Sequence, residues 1–81
     1  MNREQILAKI TEILVGEFEI DEASIKPEAT LNHDLGLDSI DAIDVAVRLQ
    51  AIIGKRIEEE ALRELRTVND VINLVDRHLN A

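Results

Sequence analysis

The chain contains no cysteine among its 81 residues. That absence excludes disulfide bonds, thiolate metal sites and cysteine nucleophiles, and it is typical of a reducing compartment. Any thiol chemistry must therefore come from outside the chain. Basic residues are also few: nine Lys and Arg stand against 17 Asp and Glu, a formal net charge of −8. Because such a surface repels phosphate backbones and anionic lipid heads, we expect neither nucleic acid nor a membrane as a partner.

Long apolar runs and aromatic residues are missing as well. No run approaches the ~18 residues that span a membrane, and the first residues lack the pattern of a signal peptide, so we expect a cytoplasmic protein. Phe18 is the sole aromatic residue although 46% of the chain is hydrophobic, which predicts an aliphatic core. The length suits one small domain, and we expect residues 1–81 to form it as a monomer.

Capping residues and helical periodicity predict the first two helices. The first begins at Asn2 and runs to about Gly16. The second begins at Asp38 or Ser39, both good capping types, and ends at Gly54, which suits the left-handed position after a helix.

Two further helices complete the chain. A short third helix falls within residues 57–65, and a last helix begins after Thr67, which stands three positions before Asp70 in a capping pattern. The segment 16–37 contains Pro27 and no sustained helical period, which predicts a long packed loop. We therefore expect an all-α four-helix bundle with a short third helix and a long first loop.

The second helix carries two apolar stripes. At about 100° per residue, one arc predicted to face the core contains Ala42, Val45, Ala46, Leu49, Ile52 and Ile53. Ile40, Ile43 and Val47, called here the outer stripe, lie nearly opposite. The residues flanking the outer stripe are Asp41, Asp44 and Arg48. Since a small bundle cannot easily bury both arcs, the outer stripe is interpreted as an exposed docking surface, with isolated surface aliphatics as the alternative.

Ser39 stands at the foot of the outer stripe. A serine at a helix start is ordinarily a cap. The same position also favours a phosphodiester, because free backbone amides and the helix dipole stabilise negative charge there. Spacing alone leaves both interpretations open.

The run DLGLDSI at residues 34–40, followed by DAIDV, resembles the prosthetic-group attachment motif of acyl carrier proteins. The usual form of that motif is Asp-Ser-Leu at the start of the second helix, preceded by Asp-Leu-Gly. The resemblance covers nearly the whole chain, since it extends to size, acidity, lack of cysteine, the long first loop, the short third helix and the Thr67-Val68 start of the last helix.

The resemblance implies a carrier of acyl thioesters that is not itself an enzyme. Ser39 would be esterified with 4'-phosphopantetheine donated by coenzyme A, with Asp38 beside the metal site of the phosphopantetheinyl transferase. The attached phosphopantetheine forms a flexible arm that ends in a thiol, and this thiol would supply the thioester chemistry that a chain without cysteine lacks. Leu35, Leu37 and the aliphatic core become candidates to shelter an acyl chain.

The resemblance also implies partners. The recognition surface would comprise Ile40, Asp41, Ile43, Asp44, Val47 and Arg48. It would meet the transferase, and acyl-transferring and condensing enzymes with basic docking patches, in fatty acid synthesis or a specialised lipid or polyketide pathway.

Departures from the family's pattern bear on which enzymes dock. Ile40 replaces the usual leucine, Arg48 adds a positive charge, and Gln50-Ala51 stand where many members of fatty acid synthesis keep acidic residues. These changes favour a specialised pathway. The alternative for Arg48 is a simple pair with Asp44 one turn back.

Two other binding classes remain open at this point. A peptidyl or aminoacyl carrier would typically be Gly-rich just before the serine, where this chain has Leu37-Asp38. A non-carrier helical adaptor would use the outer stripe without any prosthetic group.

Two chemical sites are disfavoured by their motifs. The chain lacks the G-x-S-x-G turn of a serine hydrolase, and His33 and His78 are its only histidines. Asp34, Asp38 and Asp41 could suggest a calcium site, but the chain lacks the D-x-D-x-D-G loop that such a site uses.

Overall fold

A computed structural model describes residues 1–80, with the side chain of Glu59 outside the description. Its helices are α1 (Arg3–Phe18), α2 (Ser39–Ile53), α3 (Glu59–Arg63) and α4 (Val68–Asn80). The predicted all-α bundle with a short third helix is confirmed. Within residues 1–80 no helix combines the length and the apolar character needed to cross a membrane.

The predicted capping residues define the helix ends. Asn2 Oδ1 accepts from the backbone N–H of Gln5 at 2.8 Å, which satisfies a free amide at the start of α1. The helix continues two residues beyond Gly16 to Phe18, which packs against the core, and the residue that caps its end, Glu19, has φ 54°. At the end of α2, Gly54 has φ 75°, a left-handed conformation that glycine adopts without steric cost.

The capping pattern predicted at the start of α4 is confirmed. Thr67 Oγ1 accepts from the backbone N–H of Asp70 at 3.1 Å, and Asp70 Oδ2 accepts from the N–H of Thr67 at 3.0 Å. This reciprocal pair satisfies amides that no helical carbonyl reaches.

The long first loop is packed rather than free. It contains one 3₁₀ turn, Glu22–Ser24. Its buried residues are Ile25, Ala29, Leu31, Leu35 and Leu37. Three backbone hydrogen bonds join it to the segment before and at the start of α4: Leu31 N to Arg66 O at 2.8 Å, Val68 N to Ala29 O at 3.0 Å, and Asn69 N to Pro27 O at 2.8 Å. These bonds satisfy loop backbone groups and fix the approach to α2.

Within the loop, Asp34 and Thr30 are joined by two hydrogen bonds. Asp34 Oδ2 accepts from the backbone N–H of Thr30 at 2.8 Å, and Thr30 Oγ1 accepts from the N–H of Asp34 at 3.0 Å. The backbone N–H of Thr30, followed by its hydroxyl, lowers the pKa of Asp34 below the ordinary value of 3.8.

This lowered pKa gives a pH prediction. A folded-state pKa below the unfolded value contributes stability that is present above 3.8 and is lost as the pH falls through the folded pKa. We expect carbon-detected NMR to show the Asp34 carboxyl titrating below 3.8. In Asp34→Asn, the free energy of unfolding measured by chemical denaturation should fall less than in the parent as the pH drops below 3.8. Titration at or above the ordinary value would contradict this assignment.

The core lies between the loop, α1, α2 and α4. The inner arc of α2 buries Val45, Ala46, Leu49 and Ile53, while Ala42 is half-buried. The prediction for Ile52 is wrong, because its side chain is 40% exposed. Ile52 lies at the edge of the predicted arc in the last turn of α2, and periodicity alone does not tell where the neighbouring helices stop covering that edge.

Candidate functional site

Ser39 is the first residue of α2, and Asp38 rather than Ser39 caps the helix. Asp38 Oδ1 accepts from the N–H of Asp41 at 2.8 Å, and Asp41 Oδ2 accepts a long hydrogen bond from the N–H of Asp38 at 3.4 Å. The Asp38 carbonyl accepts from the N–H of Ala42 at 3.0 Å. Ser39 is exposed, and its hydroxyl makes no hydrogen bond within residues 1–80. Its hydroxyl is therefore available for modification.

A cavity of about 240 Å³ lies beside Ser39. Its described lining comprises Leu31, Asn32, Leu37, Asp38, Ser39, Ala42, Ile43, Leu62, Arg63, Leu65 and Arg66. The walls come from the loop, the first turns of α2, and α3 with the residues that follow it. Leu37 thus lines the cavity as an acyl shelter would require, whereas Leu35 belongs to the buried core and not to this lining.

The outer stripe is exposed on α2. Ile40, Ile43 and Val47 are 74%, 45% and 52% exposed, whereas Leu49 on the inner arc is 2% exposed. Exposed apolar groups of this size, arranged along one helix face, are typical of an interaction surface. Ile43 also lines the cavity, so the outer stripe and the cavity are continuous at this residue.

Arg48 is held by two carboxylates. Its Nε lies 3.6 Å from Asp44 Oδ1, and its Nη2 lies 3.5 Å from Glu17 Oε2 on α1. The pair with Asp44 is the alternative that the sequence offers, whereas the pair with Glu17 is not evident from the sequence. The positive charge of Arg48 is therefore compensated within the chain.

Gln50 has a structural contact rather than a place in the outer stripe. Its Oε1 accepts from the backbone N–H of Ile57 at 2.7 Å and so fixes the link between α2 and α3. No local pattern indicates this bond, because the partner is a main-chain group seven residues away.

The residues needed for hydrolysis or metal binding are not assembled. His33 and His78 both lie outside the described lining of the Ser39 cavity, and His78 Nδ1 is 2.8 Å from the Leu74 carbonyl on α4. Asp34 bonds to Thr30, while Asp38 and Asp41 cap α2. Across the described part of the chain, no group of three or more His, Asp or Glu residues is positioned to hold a metal ion.

An exposed serine at a helix start, with an aliphatic cavity at its side and an apolar stripe above it, fits a carrier domain. The N-terminal amides and dipole of α2 suit a phosphodiester. The cavity offers apolar contacts to a flexible group attached at the serine. The residues present therefore fit a covalently attached arm.

Comparison with known proteins identifies the class of carrier. A family model described as "Phosphopantetheine attachment site" matches residues 8–75. The acyl carrier protein 2 of Ralstonia nicotianae is 46% identical over 81 residues, with all of both chains covered. An acyl carrier protein of Rubrobacter xylanophilus is 35% identical over the same length, again with both chains covered in full. The crystal structure of an acyl carrier protein from Thermotoga maritima superposes with a TM-score of 0.88 at 34% identity, covering 98% of this chain and 92% of that one.

The chain therefore belongs to the acyl carrier protein family. Its prosthetic group is covalent 4'-phosphopantetheine, on which acyl groups are carried. Members of this family interact with phosphopantetheinyl transferases and with enzymes that handle acyl groups.

Proposed function

We propose that Ser39 receives the 4'-phosphopantetheine and that the chain presents acyl thioesters to separate enzymes without catalysing a reaction itself. The observation that carries this assignment is that Ser39 is exposed at the start of α2, is not the capping residue, and lies beside the cavity. Ser24, the other serine of the chain, ends the 3₁₀ turn and is not among the residues lining this cavity.

Priming requires a nucleophile that a second protein can reach. The Ser39 hydroxyl gives up its proton to the surrounding water and its oxygen forms a bond to the phosphorus nearest the pantetheine. The pyrophosphate bond of coenzyme A breaks, and adenosine bisphosphate leaves with the electron pair. The dipole of α2 stabilises the phosphodiester that results. Asp38, adjacent in the chain and committed to the cap through one oxygen, is the residue of this protein that would face the transferase's metal site.

The test is intact mass after incubation with coenzyme A and a broad-specificity transferase. We expect the parent to gain the mass of one phosphopantetheinyl group and Ser39→Ala to gain none. Ser24→Ala is the matched control and should be primed like the parent. Helical circular dichroism should be the same for all three. Continued priming of Ser39→Ala would overturn the assignment.

The charges of α2 support docking to basic patches of the transferase and of acyl-transferring and condensing enzymes. Asp41 and Asp44 flank the outer stripe, whose aliphatic groups provide the contact area. Complementary charge mainly accelerates and orients association. The middle of α2 is less acidic, because Arg48 compensates Asp44 and because Gln50 and Ala51 are uncharged. This pattern favours a specialised lipid or polyketide pathway over housekeeping fatty acid synthesis.

The pathway proposal predicts weak elongation by a housekeeping fatty acid synthase set. Arg48→Glu with Gln50→Glu should increase the elongation rate of the primed protein by about tenfold, which corresponds to ~1.4 kcal/mol of partner affinity. Glu at position 50 retains an acceptor for the N–H of Ile57, so the link to α3 should persist. Gln50→Glu alone is the control and should change the rate less. Elongation of the parent at the rate of a housekeeping carrier would contradict the specialised role.

A further inference from the structure

Gln50 connects α2 to the segment that enters α3. Its Oε1 accepts from the backbone N–H of Ile57 at 2.7 Å in a half-buried position, and Ile57 itself is buried in the core. Removing the acceptor would leave a buried donor without a partner, which costs more than an ordinary hydrogen bond contributes. Lys55 in the same link donates from Nζ to the carbonyl of His78 at 2.8 Å, but this contact is exposed and leads to α4. Gln50 is therefore the side chain that ties the start of α3 to α2.

The short helix α3 cannot fix its own position. It has five residues, and among the described residues no side-chain hydrogen bond caps its start at Glu58. A helix of this length is unstable alone, because forming the first turn orders several residues for a single hydrogen bond. The flanking residues must hold it instead. After α3, the N–H of Leu31 donates to the carbonyl of Arg66 at 2.8 Å, and before α3 the bond from Ile57 to Gln50 holds the chain.

The segment held in this way is a wall of the cavity beside Ser39. Leu62 in α3 and Leu65 just after it both line that cavity. The N–H of Leu62 donates to the carbonyl of Glu58 at 3.2 Å, and the N–H of Leu65 donates to the carbonyl of Leu62 at 3.3 Å. Glu58 directly follows Ile57, so a displacement of Ile57 would be passed on to both leucines within two turns.

Gln50 also lies on the same flank of α2 as Ser39. The two residues are eleven positions apart, which places them within about 20° around the helix axis and about 16 Å apart along it. Ile43, one turn after Ser39, lines the cavity on this flank. The segment with α3 therefore spans the flank, with its start held at Gln50 and its cavity-lining leucines near Ser39.

We propose that Gln50 is a positioning residue for the acyl cargo. It holds α3 where Leu62 and Leu65 complete the cavity, and it thereby sets how well an acyl chain carried on Ser39 is sheltered. This inference rests on the proposed attachment at Ser39, because the arm delivers the chain to the cavity.

The experiment compares the primed protein without cargo and with a hexanoyl group. The cavity volume of about 240 Å³ exceeds the ~150 Å³ of an engineered cavity that admits benzene, so a chain of this size can enter. Gln50→Met removes the acceptor at similar side-chain size, and Gln50→Glu retains it. Gln5→Met is the matched control, because Gln5 Oε1 accepts from the N–H of Asn2 at 2.9 Å, outside the described lining of the cavity. Intact mass establishes priming and loading for every variant.

Hexanoyl loading should raise the Tm of the parent by several degrees, because in a domain of this length each buried methylene has an effect of that order. It should also give nuclear Overhauser effects between the acyl chain and the methyl groups of Leu62 and Leu65. Gln50→Met should lose about half or more of the Tm increment and weaken these effects, and it should speed hydrogen exchange at the Ile57 amide. Gln50→Glu and Gln5→Met should retain the increment and the Overhauser effects.

A full increment with unchanged Overhauser effects in Gln50→Met would overturn the positioning role, even if that variant is less stable without cargo. An equal loss in Gln50→Glu or Gln5→Met would also overturn it, because the acceptor at position 50 would then not be the cause. If Gln50→Met does not fold, Gln50→Asn, which keeps an amide but is one methylene shorter, is judged by the same criteria.

Failure of the inference and failure of the proposed function give different results. A loaded parent without Overhauser effects to Leu62 or Leu65 would overturn the positioning role while leaving attachment at Ser39 intact. A parent whose mass shows no priming at Ser39 would overturn the proposed function, and the positioning role with it.

Discussion

Leu49→Ala should lower the free energy of unfolding by about 2 to 5 kcal/mol, because it removes a buried side chain and leaves a cavity. Leu49 is 2% exposed on the inner arc of α2 and belongs to the core cluster that includes α1 and α4. A domain of this length has a total stability of roughly 4 to 12 kcal/mol at typical values per residue. The loss is therefore large enough to be measured by urea unfolding, with an unchanged denaturant slope as the sign that the unfolded state is unaffected.

Val47→Ala is the matched control for this truncation. It lies two residues earlier on the same helix, but its side chain is 52% exposed. Surface substitutions usually change stability by no more than about 0.5 kcal/mol, and alanine is the better helix former. We expect this variant to unfold like the parent and to bind the transferase more weakly. Comparable destabilisation by both substitutions, with unimpaired binding by Val47→Ala, would show that the outer stripe is not a docking face.

Asp44→Lys should slow association with the transferase by about tenfold at low salt. The substitution changes the local charge by two units, and each unit at contact distance in water is worth about 1 kcal/mol. It also places a cation beside Arg48, which is then compensated by Glu17 alone. The effect should shrink as salt rises, since the screening length falls to about 3 Å at 1 M. Stopped-flow association at low and high salt measures both quantities.

Glu12→Lys provides the matched charge reversal away from the outer stripe. Glu12 pairs with Lys9 on α1 at 3.6 Å, the same separation as between Arg48 and Asp44, so both variants exchange one ion pair for a like-charge contact. We expect Glu12→Lys to slow association far less than Asp44→Lys. Equal slowing would indicate that net charge, rather than the outer stripe, steers the encounter.

Much of the secondary structure could be predicted from short-range patterns. The caps at Asn2, Asp38 and Thr67 and the helix end at Gly54 depend on groups within three or four residues, so the chain encodes them locally. The two stripes of α2 follow from helical periodicity in the same way. The attachment motif is contiguous too, which is why Ser39 and its flanking carboxylates are evident in the sequence.

Contacts between distant segments could not be predicted in this way. The bonds from the first loop to residues 66–69, the pair between Arg48 and Glu17, and the exposure of Ile52 depend on how helices are placed after folding.

What the sequence by itself determined is therefore the helices, their caps and the serine at the start of α2. The tertiary structure alone decided that Arg63 and Arg66 line the same cavity as Ser39. Both arginines lie more than twenty positions after Ser39, and no local pattern relates them to it. They meet because burial of the aliphatic faces brings α3 and the following residues against the start of α2, and that packing, rather than any motif, sets the charge of the cavity.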